Sequence, residues 1–241
     1  MKRVLFAALL LAFGSVAYAA PINLVSYGSL SGAFIVTFDD LPPAGSPGTN
    51  FNSTTSSQGV VFGERFAGQA LSFSGAFDVL DANATGALTV IAGAPSQNVS
   101  LLTNAGTNVI TGLGNVGFPS FDAIGEGSLA FLFSSDQSQF GFQLVGGNGG
   151  DAFVSFFRRN GTLIQTLDVA NLAEAYYGFS RDGGVMDIAG VSVYNNDGGG
   201  IGLDNLKHDV ASSAPVVPEP ASLLLFGTGL VALRAWKKRR E

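Results

Sequence analysis

Residues 128–167 read SLAFLFSSDQSQFGFQLVGGNGGDAFVSFFRRNGTLIQTL, and their pattern decides the fold. In 128–133 and 139–144 every second residue is a large apolar one (Leu129, Phe131, Phe133; Phe140, Phe142, Leu144), the period of a half-buried strand and not of a helix. Residues 134–137 (SSDQ) read as the turn that separates them. Residues 153–158 and 162–167 flank Asn160 and Gly161. Asn-Gly between two apolar strands is the strongest short hairpin signal, because both turn residues tolerate positive φ.

Working outward, the same grammar recurs. Strands are expected at 34–38, 60–62, 70–73 and 88–91 on one side, and at 175–180, 188–194 and 201–206 on the other. Residues 44–58 are Gly, Ser, Thr, Pro and Asn with almost no apolar content, and read as a long loop. Residues 99–116 are rich in Asn, Gly and Thr and leave their state open. No amphipathic helix stands out, although 169–175 allows one short helical turn. Short strands at near-regular spacing with Gly, Asp and Asn turns predict an all-β, antiparallel sandwich or barrel. Its Gly content, 33 of 241 residues, suits turns and bulges better than helices.

The amino terminus, MKRVLFAALLLAFGSVAYAA, has a basic start, an apolar stretch and small residues Ala17 and Ala19 around Tyr18. That is the layout of a secretory signal helix over 1–19, with signal peptidase and the secretion machinery as its partners. A membrane anchor is the competing reading, and the run is short for one. An exported chain without Cys has no disulfides to brace it, but a domain of this size buries enough apolar surface without them. Between 20 and 209 there are sixteen acidic residues against five basic ones. Nucleic acid is therefore excluded as a partner, since phosphate contacts need a basic face.

Residues 210–217 (VASSAPVV) form a small linker, and 218–241 a distinct tail. Pro218, Glu219 and Pro220 open it; proline fixes φ and pushes the residue before it toward extended backbone. Thirteen uncharged, mostly apolar residues follow, 221–233, fewer than the roughly twenty that a helix needs to cross a bilayer. Arg234 and Trp236 sit where interfacial side chains would, and Lys237, Lys238, Arg239 and Arg240 would stay cytoplasmic. This end resembles the PEP-CTERM sorting signal of exported Gram-negative bacterial proteins. The resemblance implies a C-terminal apolar helix outside the domain, transient residence in the inner membrane, and processing by an exosortase, a transpeptidase-like membrane enzyme, near the Pro-Glu-Pro motif. It further implies release to the cell surface or exterior, often beside exopolysaccharide and biofilm. A plain anchor without processing is the alternative.

The middle is poor in catalytic groups. It has no Cys, and its one histidine, His208, follows the last expected strand and reads as a surface residue. Most nucleophile–His–acid arrangements and multi-His zinc sites are thereby removed. Among carboxylate pairs for glycoside hydrolysis, Asp122 and Glu126 are the nearest in sequence, in a loop-like stretch. The glycine clusters at 146–150 and 198–200 lack a phosphate-loop Lys and read as plain loops.

Two segments, VTFDDLP at 36–42 and IGLDNL at 201–206, resemble the paired edge motifs of exported jelly-roll domains similar to carbohydrate-binding modules. This resemblance implies a jelly-roll sandwich whose first and last strands adjoin, with Asp39, Asp40 and Asp204 as candidate ligands of a structural Ca²⁺. Carboxylate clusters suit that ion, but the same Asp residues also suit turns and bulges. Sugar stacking needs an exposed aromatic ring. Tyr27, Tyr176, Tyr177 and Tyr194 are available, and the alternation of Tyr176 and Tyr177 lets one ring face out; Tyr177 is taken as the candidate. The expected protein is an exported, non-catalytic sandwich over 20–209 that binds a glycan. The alternatives are a purely structural or adhesive matrix protein and a secreted hydrolase.

Overall fold

The computed structural model describes residues 20–42 and 45–209. The described residues are all-β apart from two single-turn 3-10 helices, Tyr27–Ser29 and Asp182–Gly184. The first strands are β1 (Ile22–Val25), β2 (Phe34–Val36), β3 (Thr49–Phe51), β4 (Thr55–Ser57) and β5 (Val60–Gly63). Four short ones follow, β6 (Arg65–Phe66), β7 (Leu71–Ser74), β8 (Phe77–Leu80) and β9 (Val90–Ile91). Then come β10 (Val99–Asn104), β11 (Thr107–Leu113), β12 (Ile124–Gly127), β13 (Leu129–Gln137) and β14 (Gln139–Gly146). The chain closes with β15 (Ala152–Phe157), β16 (Leu163–Val169), β17 (Ala175–Arg181), β18 (Ile188–Asn195) and β19 (Ile201–His208). The signal helix and the C-terminal apolar helix lie outside the described residues.

Two antiparallel sheets hold most of these strands. A nine-stranded sheet runs β1-β17-β14-β19-β11-β10-β3, with β12 beside β11 and β2 beside β19. A six-stranded sheet runs β16-β15-β18-β13-β5-β4. The chain alternates between them: β13 is in the smaller sheet, β14 in the larger, β15 and β16 in the smaller, β17 in the larger. Residues 128–144 therefore form no hairpin. Nor is 134–137 the expected turn: these residues lie within β13, whose register against β18 shifts between Leu132 and Gln137, and Ser138 alone separates it from β14. The two strands belong to different layers, and each turns its phenylalanines toward the other.

Those rings build the core. Phe131 of β13 lies 6.0 Å, centroid to centroid, from Phe140 of β14, and Phe156 of β15 lies 5.3 Å from Phe179 of β17. Phe38, Phe62, Phe133 and Phe142 continue the same cluster. Each fully buried ring is worth roughly 1.5–3 kcal/mol in apolar burial, and offset or edge-on ring pairs add about 0.5–1.5 kcal/mol. A sandwich without disulfides is held chiefly by this layer.

Several elements differ from expectation. The stretch left open at 99–116 contains the hairpin β10–β11, closed by Ala105 (φ 50°) and Gly106 (φ 89°), a two-residue turn of the kind that matches strand twist. It is hard to read because Ala rarely occupies such a position. The long loop at 44–58 contains β3 and β4, each only three residues and paired at a sheet margin. The hairpin at Asn160 and Gly161 forms, but only Gly161 (φ 84°) has positive φ; Gly161 N donates to Arg158 O and Asn160 Oδ1 accepts from Thr162 N. No helical turn is found at 169–175, where Asn171 takes φ 56°.

The outer faces of the two sheets are treated differently. Across the six-stranded sheet, Phe66, Leu88 and Val90 pack down on Ala130, Phe157 and Ala189. Gly190 makes room for them, since a Cβ there would stand 2.6 Å from Phe66 Cζ. The outer face of the nine-stranded sheet carries the exposed Tyr176 and a surface groove, and the candidate site lies there.

Candidate functional site

The site begins with two glycines. Gly141 of β14 and Gly178 of β17 are cross-strand partners. A Cβ on Gly178 would lie 2.9 Å from Tyr27 N and Val25 O, and one on Gly141 would lie 2.9 Å from Tyr27 Cδ2. The bare backbone of this pair lets the segment that follows β1, Tyr27 to Leu30, rest directly on the sheet. Tyr27 is fixed there: its hydroxyl donates to Asn205 O at 2.8 Å, and Lys207 Nζ stands 5.4 Å above its ring while donating to Leu30 O at 2.6 Å. Tyr27 packs in turn against Tyr176 of β17, with centroids 5.0 Å apart. Burial raises the Tyr27 pKa, with Tyr176 and Asp204 adding to the effect, so its hydroxyl stays protonated.

A β-bulge completes the arrangement. Gly141 pairs with Lys207 and Gln143 with Asp204, so Asn205 and Leu206 together stand opposite Phe142. Asn205 takes φ 48°, a left-handed conformation that Asn tolerates better than most residues. The extra residue shifts the alternation by one: Ile201 and Leu203 point into the core before the bulge, and Leu206 and His208 after it. Asp204 and Lys207 are left on the outer face. Asn205 Nδ2 donates to Gln143 Oε1 at 2.7 Å and to Asp204 Oδ2 at 3.1 Å, so the amides and carboxylate form one network.

The structure places the sequence candidates as follows. Val36 pairs with Leu206 and Phe34 with His208, so the two edge motifs do adjoin through β2 and β19. Asp204 is fully buried, and its oxygens accept from Asn205 N (2.6 Å) and Thr107 Oγ1 (3.0 Å). Burial raises its pKa; the Asn205 and Thr107 hydrogen bonds work against that rise, and the charge of Asp39 adds to it. Asp40 is turned elsewhere, accepting from Ser57 Oγ and Gln58 N. Among the described residues no group of three or more His, Cys, Asp or Glu is arranged to hold a metal ion.

Of the tyrosine pair, the inward ring is Tyr177, which packs on Phe142 and hydrogen-bonds the backbone of Ala173. The outward ring is Tyr176, 54% exposed, so the aromatic on the open face is Tyr176 and not Tyr177. The reason is register: Tyr177 lies opposite the core residue Phe142, and Tyr176 opposite Gln143. Tyr194 stacks on Phe153 in the other sheet. Tyr27, the partner of Tyr176, sits in a 3-10 turn that no apolar period marks in the sequence. Ala17, Ala19, Pro218, Glu219, Pro220, Arg234, Trp236, Lys237, Lys238, Arg239 and Arg240 lie outside the described residues.

Next to the tyrosines, a groove of about 460 Å³ crosses the same face. Val109, Thr111, Val145 and Gly202 are among its lining residues, with Glu174 and Phe121 also on it. Phe121 is 73% exposed and also lines an adjoining depression of about 220 Å³. It lies in the segment before β12, where no strand pattern singles it out.

Two buried polar groups are of structural interest. Asp197 accepts from the backbone N–H groups of Asn148, Gly150 and Gly199 at 2.6, 2.8 and 2.9 Å, and so ties the two glycine-rich loops together. Glu126, 8% exposed, is pushed up to about 7 by burial, with Asp197 and Asp122 adding repulsion. His208 is not at the surface. It is 8% exposed, held between Phe34 and Phe133 at 5.2 Å from each, with Nδ1 near Asp209 O at 2.8 Å. Pairing of β2 along the end of β19 carries that strand two residues past its expected end and covers the imidazole. Burial lowers the His208 pKa, so the ring is neutral.

The fold and site define an antiparallel β-sandwich protein with one open sheet face. Its tail gives the more specific finding: residues 216–240 match the family model of the PEP-CTERM protein-sorting motif. The chain thus carries the signal for export and membrane-associated sorting, with exosortase as its processing partner. No curated protein and no solved structure was found to match the chain.

Proposed function

We propose that this is a cell-surface or extracellular-matrix protein whose non-catalytic sandwich binds a glycan on the open face of the nine-stranded sheet. A location beside exopolysaccharide or biofilm is part of the same reading, supported by the sorting signal. The observation that carries it is the exposed Tyr176 ring, backed by Tyr27 and flanked by the Gln143 and Asn205 amides. A sugar offers an apolar C–H face for such a ring and hydroxyls for such amides, and pre-set side chains bind at a lower entropic cost.

We further propose that the sandwich is of jelly-roll type. The order β11-β19-β14-β17 in one sheet and β13-β18-β15-β16 in the other supports it, because the chain threads them as two successive Greek keys. A non-catalytic role is supported by the burial of His208 and by the engagement of Asp197 with backbone donors. The hydrolase reading draws on Glu126, a carboxyl whose pKa near neutrality suits a general acid, although its side chain is almost wholly enclosed.

A glycan array probed with the mature secreted protein is the test. Binding that Tyr176→Ala abolishes and Tyr177→Phe retains is the expected result. Silence across the array would leave the structural or adhesive role in its place.

A further inference from the structure

Two properties of the open face bear on what kind of glycan it takes, and both rest on the glycan reading above. The first is charge. Each of the five basic side chains among the described residues already has a partner. Arg65 pairs with Glu64, Arg159 with Asp136, and both Arg158 and Arg181 with Asp187; Lys207 holds Leu30 O and the Tyr27 ring. Glu174 stands on the groove, Asp204 lies next to Asn205, whose carbonyl takes the Tyr27 hydroxyl, and Asp39 lies near Asp204. A uronate or sulfated polymer would meet carboxylates there, and like charges facing each other across an interface oppose association.

The second property is span. Tyr176 is on β17 and the groove residue Leu102 on β10, four strand-to-strand steps away through β14, β19 and β11. At the usual strand spacing that is about 19 Å, several pyranose rings long. Phe121 stands at the β10 side, lining both the groove and the neighbouring depression. Between the two rings lie the half-buried Gln143 and Asn205, whereas Thr111 on β11 is buried, its hydroxyl donating to Ile201 O at 2.8 Å. The face thus offers an aromatic at each end and, beside Tyr176, the Gln143 and Asn205 amides.

We infer that the face takes a neutral polysaccharide in an extended run across the strands, with one sugar ring stacked on Tyr176 and another on Phe121. The ligand is an internal stretch of chain, not a single terminal sugar.

Isothermal titration of the mature secreted protein tests this. The probes are neutral gluco-, manno- and galacto-oligosaccharides from the monosaccharide to the hexasaccharide, with oligogalacturonates of matched length. In a neutral series the affinity should rise about tenfold or more, ~1.4 kcal/mol, from disaccharide to hexasaccharide. Tyr176→Ala and Phe121→Ala, both exposed positions, should each flatten that rise while far-UV circular dichroism and cooperative melting are retained. A neutral disaccharide that binds as tightly as the hexasaccharide, or an oligogalacturonate that binds more tightly than every neutral series, overturns the inference and leaves glycan binding standing. No binding in any series overturns the glycan reading, and the inference with it.

Discussion

Gly141 and Gly178 face each other across β14 and β17, and the chain from Tyr27 to Leu30 lies on the backbone they leave bare. The open face owes its aromatic pair in part to this trough, which lets Tyr27 settle where its hydroxyl reaches Asn205 O and Lys207 covers its ring. Gly178→Ala sets a methyl 2.9 Å from Tyr27 N and Val25 O, both backbone atoms that side-chain rotation does not move. Overpacking of this kind costs about 1–3 kcal/mol. For a chain of this size each kcal/mol lowers Tm by about 2–4 °C. Thermal melting should show that loss, and ligand affinity should fall with it as Tyr27 is displaced. An unchanged Tm would mean that the segment lifts off at no cost and that the trough does not hold it.

The layered β architecture was legible because Phe and Leu alternate so regularly through 129–144. The open face was legible only in part. Tyr176 and Tyr177 announce one ring in and one out, but which is which depends on whether Gln143 or Phe142 lies opposite, and register is a tertiary fact. The bulge at Asn205 hides in the same way: Asp204 and Asn205 interrupt an apolar run, a pattern shared by a ligand pair, a turn and a bulge. Phe121 and Tyr27 lie in segments without a period, and their placement comes from loops folding back on the sheet. His208 reads as a surface residue because its cover, β2, is more than 170 residues away along the chain.

Two buried carboxyls predict a pH dependence. Burial pushes Glu126 up to about 7 and Asp78 up to about 6, the latter despite hydrogen bonds from Ser128. Each therefore binds its proton more tightly in the folded chain than in the unfolded one. Their contribution is fully present below the ordinary carboxylate range and is lost as pH rises toward 7, where the folded state must ionise an enclosed group. Glu126→Gln keeps the shape and removes the charge. Its Tm should match the parent at pH 5 and exceed it at pH 8. A gap of the same size at both values would show that Glu126 does not titrate in this window.

Calcium is the next case. Asp204 already accepts from Thr107 and Asn205, and Asp40 from Ser57 and Gln58, so an ion would have to displace existing donors. Melts of the mature protein in Ca²⁺ and in chelator should coincide. An ion that binds only the folded state raises Tm as its concentration rises, so a Ca²⁺-dependent increase would place one between Asp39 and Asp204 after all.

The sorting motif makes the last prediction. Residues 221–233 are thirteen uncharged residues followed by Arg234 and the basic run at 237–240, an apolar length below the roughly twenty that a spanning helix needs. Such a tail suits a short stay in the membrane better than a permanent one. The Pro218, Glu219 and Pro220 triplet lies between the linker and this run, where cleavage would separate the sandwich from all five basic residues of the tail. Intact-mass measurement on protein recovered outside the cell should therefore find a chain that lacks Lys237, Lys238, Arg239 and Arg240. Replacing Pro218, Glu219 and Pro220 together by Ala should leave the full mass and move the protein into the membrane fraction, without change in the melting of the sandwich. Exported protein of the parent sequence that still carries its basic end would show that the motif is present but not processed.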